Sequence, residues 1–88
     1  MNIRKLFELM VEKEASDIFF TTYASIKIKI EGQILSVNKT KLTPEAVKDA
    51  AYGLMNVEQQ KVFARELEID FAISEPGLGR FRVNIFHQ

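Results

Sequence analysis

No cysteine occurs among the 88 residues, so disulfides and thiolate metal sites are excluded. Neither sign of charge prevails. Twelve Lys and Arg offset twelve Asp and Glu, which removes any global electrostatic reason for a nucleic-acid or anionic-membrane partner. No apolar run approaches the roughly 20 residues that span a bilayer, and Met1-Asn2-Ile3-Arg4-Lys5 lacks the apolar core of a secretory signal, so a cytoplasmic location is expected. Histidine occurs once, at His87, with no partner at metal-ligand spacing. There is no GxxxxGK[ST] phosphate loop. Gly77-Leu78-Gly79 precedes a strand, whereas such a loop follows a strand and opens a helix, so it reads as a turn. Linkers, repeats and low-complexity segments are also missing.

What is present is an ordinary globular composition, 47% hydrophobic and 27% charged. A chain of this length forms one small domain and buries roughly 60–65% of its unfolded surface. Ile3, Leu6, Phe7, Met10 and Val11 fall on one stripe of an amphipathic helix with Asn2 as its N-cap, and the mixed charges of the other face favour core packing over a membrane anchor. Ala15-Ser16-Asp17 ends that helix, with Asp17 expected to bond turn backbone N–H groups, and Ile18–Thr22 reads as a strand. Ile26–Ile30 alternates isoleucines inward with lysines outward. Glu31-Gly32 then makes a two-residue hairpin loop that sets Ile30 against Gln33, Ile28 against Leu35 and Ile26 against Val37, and leaves Ile34 outside with the lysines.

Thr43-Pro44-Glu45 starts a second helix whose apolar side is Val47, Ala50, Ala51 and Leu54, with Gly53 and Asn56 breaking it. Asn56-Val57-Glu58-Gln59 has capping-box spacing and opens a third, with Val62, Phe63 and Leu67 as its buried side. Ile69, Phe71 and Ile73 alternate with polar residues in the next strand. Glu75–Leu78 turns into the last, Gly79-Arg80-Phe81-Arg82-Val83-Asn84-Ile85-Phe86-His87-Gln88, which runs into the C-terminus without a cap. The order α-β-β-β-α-α-β-β, with hairpins on short turns, predicts an α+β domain: a mainly antiparallel sheet covered by helices.

The chemistry-bearing residues concentrate in that last strand. Arg80 and Arg82 project from one face, each a rigid fork suited to phosphate or carboxylate oxygens. The competing role is a cross-strand ion pair: keeping both apolar faces inward sets Asp70 opposite either Arg82 or Asn84. His87 falls on the side of Phe81, Val83 and Ile85 and reads as a half-core residue, while Tyr23 and Tyr52 read as packing residues with wet hydroxyls. An RNA-binding sheet is disfavoured because Phe81 opposes the arginines and only Phe86 shares their side. A PAS-like ligand sensor would need a hollow lined by convergent polar groups, where this sequence offers large apolar residues.

The stretch from Gly79 to Gln88 resembles the GRFRVNxFxQ signature of the type IV pilus retraction ATPases, PilT and its paralogue PilU. Ala15-Ser16-Asp17-Ile18, Ile30-Glu31-Gly32, Leu42-Thr43-Pro44-Glu45, Met55-Asn56 with Gln60 and Phe63, and Glu68–Ser74 resemble further pieces of that family in the same order, across essentially the whole chain. Leu9–Lys13 and Phe71-Ala72-Ile73-Ser74 lean toward PilU. The resemblance implies that residues 1–88 are a single N-terminal PAS-like domain, inert as an enzyme alone, followed in the parent by a RecA-like ATPase domain. It further implies a homo-hexameric motor at the cytoplasmic side of the inner membrane, each N-terminal domain docking on the ATPase domain of the next subunit. ATP and Mg²⁺ are implied for the full-length protein and no cofactor for this stretch by itself. A paralogous pilus ATPase and an inner-membrane platform protein are the implied partners, with no nucleic acid. Arg80 and Arg82 match the signature's arginines, which implies nucleotide-phosphate contacts that couple to domain angle. Thr22-Tyr23-Ala24-Ser25 departs from the family's Gly-x-Pro-Pro turn, which leaves the shape of that loop open.

Overall fold

The computed structural model describes residues 2–88. Each helix begins where its sequence provides a cap. Asn2 Oδ1 accepts from the Lys5 N–H at 3.0 Å and starts α1 (Ile3–Lys13), and Thr43 Oγ1 accepts from the Ala46 N–H at 3.1 Å and starts α2 (Pro44–Leu54). Asn56 and Gln59 exchange side-chain-to-backbone bonds of 2.8 and 3.0 Å at the start of α3 (Val57–Glu66), a complete capping box. The C-terminal stops are less regular. Gly53 is carried inside α2, and it is Met55-Asn56, not the glycine, that breaks the helix.

The strands are β1 (Asp17–Thr21), β2 (Lys27–Ile30), β3 (Gln33–Ser36), β4 (Glu68–Glu75) and β5 (Gly79–Phe86). They form one sheet in the order β3-β2-β1-β5-β4, antiparallel except where β1 lies parallel to β5. The domain is therefore the expected α+β fold with a mostly antiparallel sheet. Between β2 and β3, Glu31 and Gly32 both take positive φ, 47° and 80°, which is the two-residue hairpin geometry whose twist matches the flanking strands. Ile30 pairs with Gln33 and Ile28 with Leu35, the register that the alternation of isoleucine and lysine requires. The last strand stops at Phe86, short of Gln88: the His87 N–H turns away to the Leu67 carbonyl and the Gln88 N–H to Thr22 Oγ1.

All three helices pack on one face of the sheet. Phe7 of α1 stacks on Phe81 of β5 with ring centroids 5.0 Å apart, and Met10, Ile18, Phe20, Val47 and Val83 are fully enclosed around them. This cover is widest over β1 and β5 and thins toward both edges. Leu35, on the inward side of β3, stays 48% exposed, and Val62 and Leu67, expected under α3, are exposed as well. Leu67 instead takes a left-handed conformation as the C-cap of α3, its N–H on the Phe63 carbonyl. Tyr23 is also not a packing residue. It is 61% exposed in a left-handed turn conformation after β1, its N–H bonded to the Leu42 carbonyl. The loop from Thr22 to Ser25 is thus pinned by backbone bonds.

Candidate functional site

The face that the helices leave open carries the sheet's charge. Register places Lys29, Asp17 and Arg82 side by side across β2, β1 and β5, with Lys27, Phe19, Asn84 and Asp70 in the next row and Thr21, Phe86 and Glu68 beyond. These side chains share one face because strand residues alternate and Ile18, Phe20, Val83 and Ile85 are drawn into the core.

Arg82 is a held cation. Its Nε donates to Asp70 Oδ1 at 2.8 Å and its Nη2 donates to Asp70 Oδ2, a bidentate fork. The hydrogen bonds from Arg82 keep the Asp70 carboxyl below its ordinary value against a lesser opposing desolvation, and Asp70 in turn raises Arg82. Asp17 stands 4.0 Å from the same guanidinium. It is not the turn residue expected but the first residue of β1, largely buried, with Oδ1 accepting from Ser16 Oγ at 2.5 Å. Of the two registers open for Asp70, the sheet uses the one opposite Asn84, so its pairing with Arg82 runs diagonally.

Arg80 differs. It lies opposite Ser74 on the same open face, exposed, and its side chain has no ion-pair or hydrogen-bond partner among the described residues. Of the two arginines, Arg80 therefore has the free fork for a phosphate, whereas Arg82 would have to loosen Asp70 first. No group of three or more His, Asp or Glu able to hold a metal ion occurs among the described residues. His87 packs beside Phe63, rings 6.1 Å apart at 73°, on the helix side as its alternation implies.

Two aromatics, not one, share the arginine side. Phe19 joins Phe86 there, because alternation along β1 turns Ile18 and Phe20 into the core and Phe19 to the open face. Strict alternation from Asp17 is the signal of that placement in the sequence. With Thr21, Glu68 and Asn84 these rings border a surface depression of about 560 Å³ at the end of β1 and β5. Carboxylates nevertheless interleave with the cations across the face, so it lacks the continuous positive track that a nucleic-acid strand needs.

No protein-family model matches the chain. Over all 88 residues it is 44% identical to the type IV pilus ATPase PilU of Pseudomonas aeruginosa and 34% identical to the type IV pilus retraction ATPase PilT of the same bacterium, covering 23% and 26% of those proteins. A twitching motility protein of Neisseria gonorrhoeae is 33% identical over 60 residues, 68% of this chain and 16% of that protein. The crystal structure of the pilus retraction motor PilT with bound ADP matches all of this chain and 26% of its own, with a TM-score of 0.77 and 31% identity. The chain belongs to the PilT/PilU family of type IV pilus retraction ATPases. It corresponds to the N-terminal domain of such proteins and spans about a quarter of the length of the relatives it matches. Within PilT/PilU its identity is higher to the PilU protein than to the PilT protein, in agreement with the PilU-like Leu9–Lys13 and Phe71–Ser74 stretches.

Proposed function

We propose that this chain is the N-terminal PAS-like domain of a hexameric, ATP-driven motor for type IV pilus retraction, acting in twitching motility. In this reading the domain docks on the ATPase domain of a neighbouring subunit and helps close over ATP. Its location is cytoplasmic, at the inner membrane, with a paralogous pilus ATPase and a platform protein as partners. The observation that carries the reading is identity of 44% along the whole chain to a pilus ATPase, joined to a shared fold.

The open sheet face supports it with chemistry. Among the described residues Arg80 is an unpaired fork, and Arg82, one alternation along β5, is a fork already oriented by Asp70. Both are directed away from the core, where a neighbouring domain or a nucleotide phosphate can reach them. Mg²⁺ and the groups that activate water belong, on this proposal, to the ATPase domain. The large side chains of Phe7, Met10 and Phe20 fill the space beneath the sheet, which counts against the alternative of a sensor with an internal ligand hollow.

The test uses the longer protein that contains this domain. Purified, it hydrolyses ATP, and deleting its gene abolishes or slows pilus retraction in the bacterium that encodes it. A longer protein with no ATP-dependent activity, together with normal retraction after deletion, sinks the proposal.

A further inference from the structure

The depression at the end of β1 and β5 is lined in a way that the nucleotide reading does not use. Phe19 and Phe86 supply two aromatic rings, Phe86 being 40% exposed, and Val62 of α3 adds an apolar wall. Thr21, Glu68 and Asn84 supply a hydroxyl, a carboxylate and an amide, none of which has a side-chain hydrogen-bond partner among the described residues. The only other charged group in the lining is Asp70, a second carboxylate, whose oxygens are already engaged by Arg82. No cation lines it.

Aromatic faces beside carboxylate and neutral acceptors select a planar cation rich in donors. A guanidinium fits: its plane stacks on aromatic rings, and its five N–H groups can meet the oxygens of Thr21, Glu68 and Asn84 together. An ammonium offers a compact charge with no plane to stack. The depression is wide and open to solvent, whereas sites for small molecules enclose most of their ligand. An occupant held by a larger surface around it is therefore favoured over a free metabolite, and the exposed Val62 and Phe86 provide apolar area for such a contact.

We infer that this depression is a socket for an arginine side chain presented by a partner polypeptide. The inference does not rest on the motor reading or on Arg80 and Arg82. It fits any protein partner whose contact surface carries an arginine flanked by apolar residues.

The 88-residue chain, labelled with ¹⁵N, is titrated with N-acetyl-arginine amide, with the neutral isostere N-acetyl-citrulline amide, and with free L-arginine. Expected are saturable amide shifts centred on Phe19, Glu68, Asn84 and Phe86 for the first and none for the second. Free arginine, whose α-ammonium and α-carboxylate offset each other, should bind no more tightly than the amide, because the guanidinium carries the contact. Glu68→Gln should weaken binding of N-acetyl-arginine amide about tenfold, the scale of one charge-assisted hydrogen bond. Phe86→Ala should also weaken it, with the dispersed spectrum of each variant confirming its fold. Citrulline binding as well as arginine, shifts centred elsewhere, or affinity unmoved by both substitutions overturns the socket. Free arginine binding clearly more tightly than the amide overturns its assignment to a polypeptide.

Discussion

Arg82 grips Asp70 diagonally across β4 and β5, although its register partner on β4 is Ala72. Diagonal reach suits a long side chain, and Ala72 leaves the space over which it passes. The pair uses both carboxylate oxygens, so it fixes the orientation of the guanidinium on the open face, while the Arg80 side chain, two residues earlier, has no partner among the described residues.

The pair makes stability depend on pH in a defined window. Asp70 titrates below its ordinary value of 3.8 in the folded state, so the unfolded chain binds more protons there. Its contribution is complete above about that value and is lost as pH falls through the lowered folded value. Urea midpoints of the native chain and of Asp70→Asn should therefore differ more at pH 7 than at pH 2. Because the pair is exposed, the difference at pH 7 should be small. A gap between the two proteins that persists at pH 2 would show that Asp70 acts by something other than charge.

Burial sets a second contrast. Phe7 is 1% exposed and stacked on Phe81, so Phe7→Ala should cost about 3–5 kcal/mol, enough to unfold much of a domain this small. Leu35→Ala, at a position that alternation alone would put in the core, should cost no more than about 0.5 kcal/mol. Denaturant titration of both variants checks this. Equal losses would mean that β3 is covered more deeply than its exposure indicates.

That contrast marks where sequence reading reached and where it stopped. Asn2, Thr43 and Asn56 act on backbone within three residues of themselves, so the helix starts were legible, as was the β2–β3 register that the two-residue turn dictates. The adjacency of β1 and β5 was not. It joins Asp17 to Arg82 across 65 positions with no turn to announce it, and it alone brings Phe19, Asn84 and Glu68 onto one surface. Exposure of Leu35, Val62 and Leu67 was equally hidden, because it depends on where the helices end over the sheet, while alternation reports only which way a side chain points.

The capping box predicts its own energetics. Asn56→Ala removes the acceptor of the Gln59 N–H and should lower stability by about 1 kcal/mol. Asn56→Asp or Asn56→Ser keeps an acceptor and should recover most of that loss. Thermal midpoints of the three variants measure it, and an Asn56→Ala protein as stable as the native chain would show that α3 is held by packing of Phe63 alone.

The two arginines of β5 differ in their partners. Among the described residues Arg80 has a free fork, so on the proposed motor reading Arg80→Ala in the longer protein should lower ATP turnover at least about tenfold, the scale of a charge-assisted contact, with no shift in the unfolding of this domain. Arg82 starts from a different position. Its guanidinium must give up or share Asp70 to touch a phosphate, so Asp70→Asn, which frees it, should leave turnover unchanged or raise it, while Arg82→Ala lowers it. If Arg82 serves the fold alone, Arg82→Ala and Asp70→Asn should instead have the same slight effect on stability and none on turnover. Steady-state ATP hydrolysis by the four proteins, with the native one as reference, decides between these outcomes. The sign of the Asp70→Asn effect is the informative measurement, because removing a carboxylate from an exposed pair can assist catalysis only where the released cation has somewhere to act.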